Sequence, residues 1–486
     1  MKKIQNFGIN VILNLLKTIC LVIFPIITFP IVSRALSVDG LGTVNYASSI
    51  VTYFSLIATL GVTTYGIREG AKLREQKKEF SSFVNEVFTI NMAATAFAYL
   101  LLFLSVYFIE RLRQHMSFIF IQSLCIIGTT LGMDWINSVY EDYWYITIRT
   151  ILVQMLSMLL LLLFIHTEED LGNYVLILVF SNVAANVLNI FYIRRYCVPR
   201  LTYKVRLKVH IKPILIIFFS GIASTIYSSL DITMLGSLSD LYSVGIYNVA
   251  GKIYTLVKQV LFAAFIVSLP RLSYYAKENE ELYQKNVQQI FSLCIIFALP
   301  IMAGLFLLSE TIVFILSGVK YAESIPVLHI LSVALIFAVM AYFLMEVICL
   351  PRNREKDMMW ATIMGAATDF ILNFLLIPRY QERGAAWATL FAEGMVFLFL
   401  FIKEHREIQI KKMRKEIIQA LVSTIVMSQV VIITLRLFHN LYLQLFAAIF
   451  SGAAVYFIIM YGWKNTSLLY LIKEGKEWIY KHVIKR

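Results

Sequence analysis

Apolar residues fall along this chain in runs of about 20, separated by short polar intervals. A run of that length crosses the roughly 30 Å hydrocarbon layer as a helix, the one open-ended structure that satisfies its own backbone in lipid. About fourteen such spans are predicted, starting near Ile9, Val44, Phe83, Ser117, Thr147, Asn173, Pro213, Leu241, Val287, Ser324, Asp357, Gly384, Ile417 and Leu441. The intervals leave no room for a soluble domain. The pattern therefore predicts an all-α polytopic membrane protein.

The pattern also repeats. Gly42-Thr-Val-Asn45-Tyr-Ala47-Ser-Ser-Ile50 matches Gly245-Ile-Tyr-Asn248-Val-Ala250-Gly-Lys-Ile253 at an offset of about 203 residues (245 − 42), and Arg68 and Arg271 keep it. Thr150-Ile151, Asp170 and Gly172 meet Thr362-Ile363, Glu382 and Gly384 at about 212 (384 − 172). The expected organisation is two six-helix lobes, 1–212 and 213–402, followed by two additional helices and a tail in 403–486. Six spans is an even number, so the lobes enter the membrane in the same direction, and parallel repeats of this kind hold substrate at their interface.

Composition agrees: 59% of the residues are hydrophobic, 15% are charged and the mean hydropathy is +0.75, which excludes a water-soluble core. The net charge of +13 is explained by orientation, and no nucleic-acid partner is expected. With a cytoplasmic N-terminus, roughly 32 Lys and Arg fall in inside loops and about six outside. Both termini are then cytoplasmic, and the inside loops also attract anionic headgroups in a generic way. Lys2 and Lys3 before an apolar run imitate a signal peptide, but the run to Ser33 is too long and is interrupted by Asn14 and Lys17, so it reads as a retained span. The five cysteines lack paired spacing and the seven histidines form no ligand-spaced cluster, so no metal is expected. The absence of a phosphate-binding Gly-rich loop leaves an ion gradient, membrane potential or substrate gradient as the energy source.

Charges inside such spans cost about 2.5–3.5 kcal/mol each and need a partner or a polar cavity. Asn10, Asn14 and Lys17 share one stripe of the first span; Ser220, Ser224, Ser228 and Asp231 share one on the seventh; Asp369 and Asn373 lie on the eleventh. Small and amide residues commonly glue helices, but Lys17 and Asp231 turn the first and seventh spans toward a cavity. Lys252, in the middle of the eighth span, either pairs with a carboxylate such as Asp231 or presents its ammonium to an anion. Lys258, turned away by roughly 120 degrees, is able to snorkel to the inner headgroups. Arg149 and Asp134, near the inner ends of the fifth and fourth spans, fit an interfacial position. Glu346 and Arg436 lie near span ends. Pro25 and Pro30 in the first span, and Pro300 in the ninth, bend their helices.

The stretch Asp134-Trp135-Ile-Asn-Ser-Val-Tyr-Glu141-Asp-Tyr-Trp-Tyr-Ile-Thr-Ile-Arg149 resembles the fourth-to-fifth-helix signature of the polysaccharide transport proteins, specifically the O-antigen flippases of Wzx type. Ser33-Arg34-Ala-Leu36 with Gly40-Leu-Gly42, Asp231-Ile-Thr-Met234-Leu235-Gly236, Val244-Gly245-Ile-Tyr247 through Lys252-Ile253, and Leu269-Pro270-Arg271-Leu272 are similar to further family segments. So are Leu372-Asn373, Ile377-Pro378, Gly384-Ala385-Ala386-Trp-Ala388-Thr389 and Glu393. The resemblance covers nearly the whole chain. One departure is Arg379-Tyr-Gln-Glu-Arg383, where the family often has glycine after the tyrosine.

The resemblance implies the fourteen-helix fold of the multidrug/oligosaccharidyl-lipid/polysaccharide exporter superfamily, a location in the cytoplasmic membrane and no enzymatic activity. The implied substrate is a short oligosaccharide on undecaprenyl diphosphate, moved to the outer leaflet for O-antigen or capsular polysaccharide. A lysine neutralises a diphosphate as a mobile point charge, which makes Lys17 and Lys252 the first substrate-binding candidates and Arg149 and Lys258 the second. Asn14, Ser224, Tyr227 and Asn248 would meet sugar hydroxyls. Asp231, Asp369, Glu393 and Asp134 are candidates for charge pairing or for coupling to an H+ or Na+ gradient, with no cofactor. Expected partners are the bilayer, a polysaccharide polymerase and glycosyltransferases. The competing readings are an ion-coupled drug/cation antiporter of the same superfamily, which demands an acidic cavity, and a membrane scaffold for the assembly machinery.

Overall fold

The computed structural model describes residues 7–266, 269–408, 410–470 and 473; the side chains of some residues within its helices, those of Asn14 and Ser224 among them, lie outside the description. The described residues contain helices and connections and no strand. The long helices are α1 (Phe7–Ala35), α2 (Val38–Thr59), α3 (Lys77–Phe108), α4 (Met116–Gly132), α5 (Tyr143–Phe164), α6 (Leu171–Tyr192), α7 (Leu207–Leu238), α8 (Leu241–Ile266) and α9 (Glu280–Leu307). Then come α10 (Ser324–Phe343, continued by the π-helix Leu344–Cys349), α13 (Ile410–Leu437) and α14 (Leu441–Gly462). Between them Glu355–Glu404 is one run broken at Gln381, which makes α11 (355–380) and α12 (382–404). Ten stretches, with the broken run counted once, are long and apolar enough to cross a membrane among the described residues.

The helices begin and end where local chemistry permits. Ser37 caps α2 by accepting from the Gly40 N–H at 3.1 Å, and Asn279 caps α9 by accepting from the Leu282 N–H at 2.9 Å. Leu60 and Gly61, both left-handed, turn the chain from α2 into the short helix Val62–Leu73. Several helices start earlier than their apolar runs. In α3, for example, a polar turn from Lys77 to Glu79 precedes the apolar core of the helix, because a helix continues past the hydrocarbon edge until a cap stops it. Pro25, Pro30 and Pro300 lie inside helices.

Two compact units result, Met1–Gly245 and Ile246–Arg486. In the first, α1 packs on α5, α4 on α6, and α2 on α3, α4 and α7. In the second, α9 packs on α10 and α13, and α10 on the broken run of α11 and α12. The last two helices, whose role the sequence leaves open, dock on α9. Tyr456 donates to the Ile296 carbonyl at 2.7 Å, and Glu416 accepts from Ser292, Thr466 and Ser467.

Some positions at the offsets of the sequence repeat share local geometry. Within the first unit, a Cβ on Gly42 would run into the Leu241 carbonyl and one on Gly245 into the Val38 carbonyl, a reciprocal contact between segments 203 residues apart (241 − 38). Glycine is required at both, because backbone blocks the space. Between the units, Glu141 and Asn353 both have φ of 56°, 212 residues apart (353 − 141). The N–H groups after them, of Asp142 and Arg354, close matching turns onto Asn137 and Cys349. Asp142 then pairs with Arg195, and Arg354 with Glu407 at 3.5 Å. The positions correspond at the same offset, and the charges are reversed.

The departure at the α11–α12 turn acquires a physical meaning. Gln381, which follows Tyr380, has φ 50° and ψ −127°, a conformation that L side chains disfavour and glycine accepts. Gln381→Gly removes a strain of about 1–3 kcal/mol and adds unfolded-chain entropy worth about 0.4–1 kcal/mol, so the variant is expected to gain roughly 1 kcal/mol. Thermal unfolding in detergent should show a higher midpoint; a lower one contradicts the strain.

Candidate functional site

The first unit brings three of the sequence candidates together. Thr147, on the first turns of α5, donates to the Leu13 carbonyl at 3.1 Å, and this buried bond fixes α1 against α5. One turn beyond Leu13, Lys17 is half-buried and lies within Coulombic range of Asp134 and Arg149. On the other side, α4 ends at Gly132, left-handed Met133 turns the chain, and Asp134 opens the short helix Asp134–Val139. Asn189 secures this break by donating to the Gly132 carbonyl at 2.6 Å.

The Arg149 side chain is only 3% exposed and its Nη2 meets Asp134 Oδ2 at 2.7 Å; the Asp134 side chain is 43% exposed. Arg149 is thus buried within the protein, on the helix that Thr147 ties to α1. Arg149 Nε and Nη1 are buried and have no hydrogen-bond partner among the described residues. The guanidinium also lies over the Tyr145 ring, 5.3 Å from its centroid. Two cations and one carboxylate leave the cluster with a net positive charge, which suits a multiply charged oxyanion.

In the second unit Lys258 Nζ meets Glu393 Oε1 at 3.1 Å, and Tyr254 donates to the same oxygen at 3.1 Å. Lys258 also lies over the Tyr254 ring at 4.8 Å. The buried Glu393 and the Tyr254 ring thus hold the Lys258 ammonium in this unit. Lys252 is half-buried on α8, as is Asn248, while Tyr247 links α8 to α12 through Thr389 at 3.0 Å. Asp369 and Asn373 are buried one turn apart on α11. Asp231 and Tyr227 are half-buried on α7 in the first unit. Asn14 and Ser224 have side chains outside the described residues.

A third charged cluster escaped the sequence reading. Glu86, buried on α3, accepts from the Arg206 backbone N–H at 2.9 Å, from the Arg206 guanidinium, and pairs with His210 Nε2 at 3.0 Å. His210 Nδ1 contacts the Tyr65 hydroxyl at 2.7 Å. The one sequence signal was an acid among apolar residues near the start of the third span. Among the described residues no group of His, Cys, Asp and Glu has metal-binding spacing.

Comparison with known proteins gives a consistent result. A family model described as polysaccharide biosynthesis protein matches residues 7–276, more than half of the chain. The chain belongs to that family. Its relatives include a Shigella dysenteriae protein assigned the name O-antigen transporter, 22% identical over 71% of this chain and 86% of the relative. A protein of Escherichia coli (strain K12) assigned the same name is 20% identical over 52% of this chain and 61% of its own length. The fold matches the lipid II flippase MurJ in an inward closed conformation, with a TM-score of 0.74 over 94% of this chain and 99% of that one at 16% identity. It also matches an inward-facing multidrug resistance MATE family transporter of the MOP superfamily, with a TM-score of 0.54 over 79% and 94% at 15% identity. This member of the polysaccharide biosynthesis family thus has the MOP superfamily fold.

The Arg149–Asp134 contact is a measurable element of this fold. Breaking a buried pair costs about 3–5 kcal/mol, and the partial exposure of Asp134 reduces this to roughly 2 kcal/mol for Asp134→Ala. In a double-mutant cycle on thermal stability, Asp134→Ala with Arg149→Leu should be less destabilised than the sum of the two single changes. Strict additivity would show that the two groups do not interact.

Proposed function

We propose that this protein is a flippase that carries diphosphate-linked oligosaccharide repeat units, built on an undecaprenyl carrier, from the cytoplasmic to the outer leaflet for O-antigen or a related surface polysaccharide. The observation that carries the reading is the buried Arg149 guanidinium, with Lys17 beside it, in a chain of the polysaccharide biosynthesis family. The diphosphate is the obligatory anion of such a substrate. Lys17 and Arg149 would meet it in the first unit and Lys252 in the second, while Asn14, Ser224, Tyr227 and Asn248 would meet sugar hydroxyls. The names of the curated relatives support the substrate class.

In this reading the membrane is the inner one and both termini are cytoplasmic, as the lysine and arginine asymmetry requires. Transport proceeds by alternating access, the prenyl chain stays in lipid while the headgroup crosses, and the protein adds no glycosyl chemistry. Asp134 and Glu393 serve as counter-ions of Arg149 and Lys258. Asp231 and Asp369 are the carboxylates assigned to coupling with a proton or sodium gradient. A polysaccharide polymerase and glycosyltransferases act before and after transport and are the expected neighbours. The net positive charge of the Lys17–Asp134–Arg149 cluster favours an anionic substrate over the cations of a drug antiporter.

Complementation in a deletion strain without a redundant flippase tests the reading. Cells lacking the gene should accumulate lipid-linked repeat units on the cytoplasmic leaflet, detected by leaflet-specific labelling. Lys252→Arg should restore part of the transport, Lys252→Ala little and Lys252→Glu none, at equal membrane abundance. Normal outer-leaflet appearance in the empty deletion strain would refute the function; full rescue by Lys252→Ala would remove that residue from the substrate site.

A further inference from the structure

The connection between α6 and α7 is not a loose linker. Residues 197–206, which are not helical, lie against α3, held by its side chains: the N–H of Arg200 donates to Asn85 Oδ1 at 2.8 Å, that of Thr202 to Thr89 Oγ1 at 3.0 Å and that of Arg206 to Glu86 Oε2 at 2.9 Å. These bonds set the depth of the strap. From residue 89 to residue 108, α3 carries no charged side chain, and about 20 helical residues span about 30 Å, the thickness of the hydrocarbon layer. The anchoring positions 85, 86 and 89 therefore lie at one edge of that layer, at headgroup level.

What the strap presents outward is mixed. Leu201, Tyr203, Leu207 and Val209 are all more than half exposed, Tyr203 completely, an apolar surface that is costly in water. Between them stand Arg200, Lys204 and Lys208, all exposed and without an ion pair among the described residues. The whole segment from residue 171 to residue 230 contains no Asp or Glu. The carboxylate nearest the strap, Glu86, is buried and already engaged by Arg206 and His210.

We infer that residues 200–209 form an interfacial binding surface for anionic phospholipid, with Leu201, Tyr203, Leu207 and Val209 inserted at the acyl boundary and Arg200, Lys204 and Lys208 on the headgroup phosphates. An aromatic ring with a polar edge and aliphatic neighbours suits the membrane boundary, and basic side chains at that depth select negative lipid. The surface lies where the chain passes from α6 to α7, so lipid composition would bear on how firmly that connection is seated. This uses the membrane reading of the proposed function, and only the choice of the inner leaflet depends on its orientation.

The test uses the full-length protein in lipid nanodiscs. The emission of a Tyr203→Trp variant, taken as the difference from wild type, is followed with bromine placed on phosphatidylglycerol or, at the same fraction, on phosphatidylethanolamine. The introduced indole should be shielded from aqueous iodide and quenched by bromolipid, and bromine on phosphatidylglycerol should be about fivefold more effective. Arg200→Gln with Lys204→Gln and Lys208→Gln should abolish that preference while leaving the thermal transition in place. Iodide access without bromolipid quenching, equal quenching by the two headgroups, or an unchanged preference in the triple variant would overturn the inference. Reporter fusions in 403–415 and after residue 486 read orientation separately: an external signal there would contradict the proposed topology and leave the lipid result standing.

Discussion

A guanidinium held among apolar helices governs much of the first unit. Burying the Arg149 guanidinium is costly unless it is paired, and Asp134 supplies the carboxylate. The left-handed turn at Met133 precedes Asp134, the Thr147 bond ties α1 to α5, and Lys17 lies on that same α1. One carboxylate does not balance two cations. The remaining positive charge is what makes the cluster suitable for an anionic headgroup.

The same economy of partners recurs at the helix ends with the opposite signs. Asp142 with Arg195 and Arg354 with Glu407 occupy corresponding positions of the duplication, on turns of equal φ, yet acid and base have exchanged places. The turn geometry is the same at both positions, while the polarity of the pair is reversed. The requirement at that position is a paired charge joining the end of one helix to the turn before another, whichever side carries the acid. Lys252 differs: it corresponds to Ser49, with no charge to exchange.

The helices were legible in the sequence because lipid imposes a long apolar run on each, and Gly42 and Gly245, which stand at matching positions of the sequence repeat, face backbone that admits no side chain. The partners of the charges were not legible. Arg206 reaches Glu86 across 120 residues and Lys258 reaches Glu393 across 135, and nothing in the hydrophobic period of a helix states which neighbour its polar face will meet. The burial of Arg149, on a helix tied to α1 by one threonine hydroxyl, is likewise visible only in the structure. The glycine missing at Gln381 was visible as a departure, but its meaning needed the backbone angles.

The central claim is that the protein selects its cargo by the diphosphate. Proteoliposomes containing the purified protein can be loaded with one oligosaccharide on the same prenyl chain through either a diphosphate or an uncharged linkage, and transfer between leaflets followed for each. The account predicts transfer of the diphosphate-linked form alone, lost when Lys17 and Arg149 are both replaced by glutamine. Equal transfer of the uncharged form, or unchanged transfer by that double variant, would contradict it.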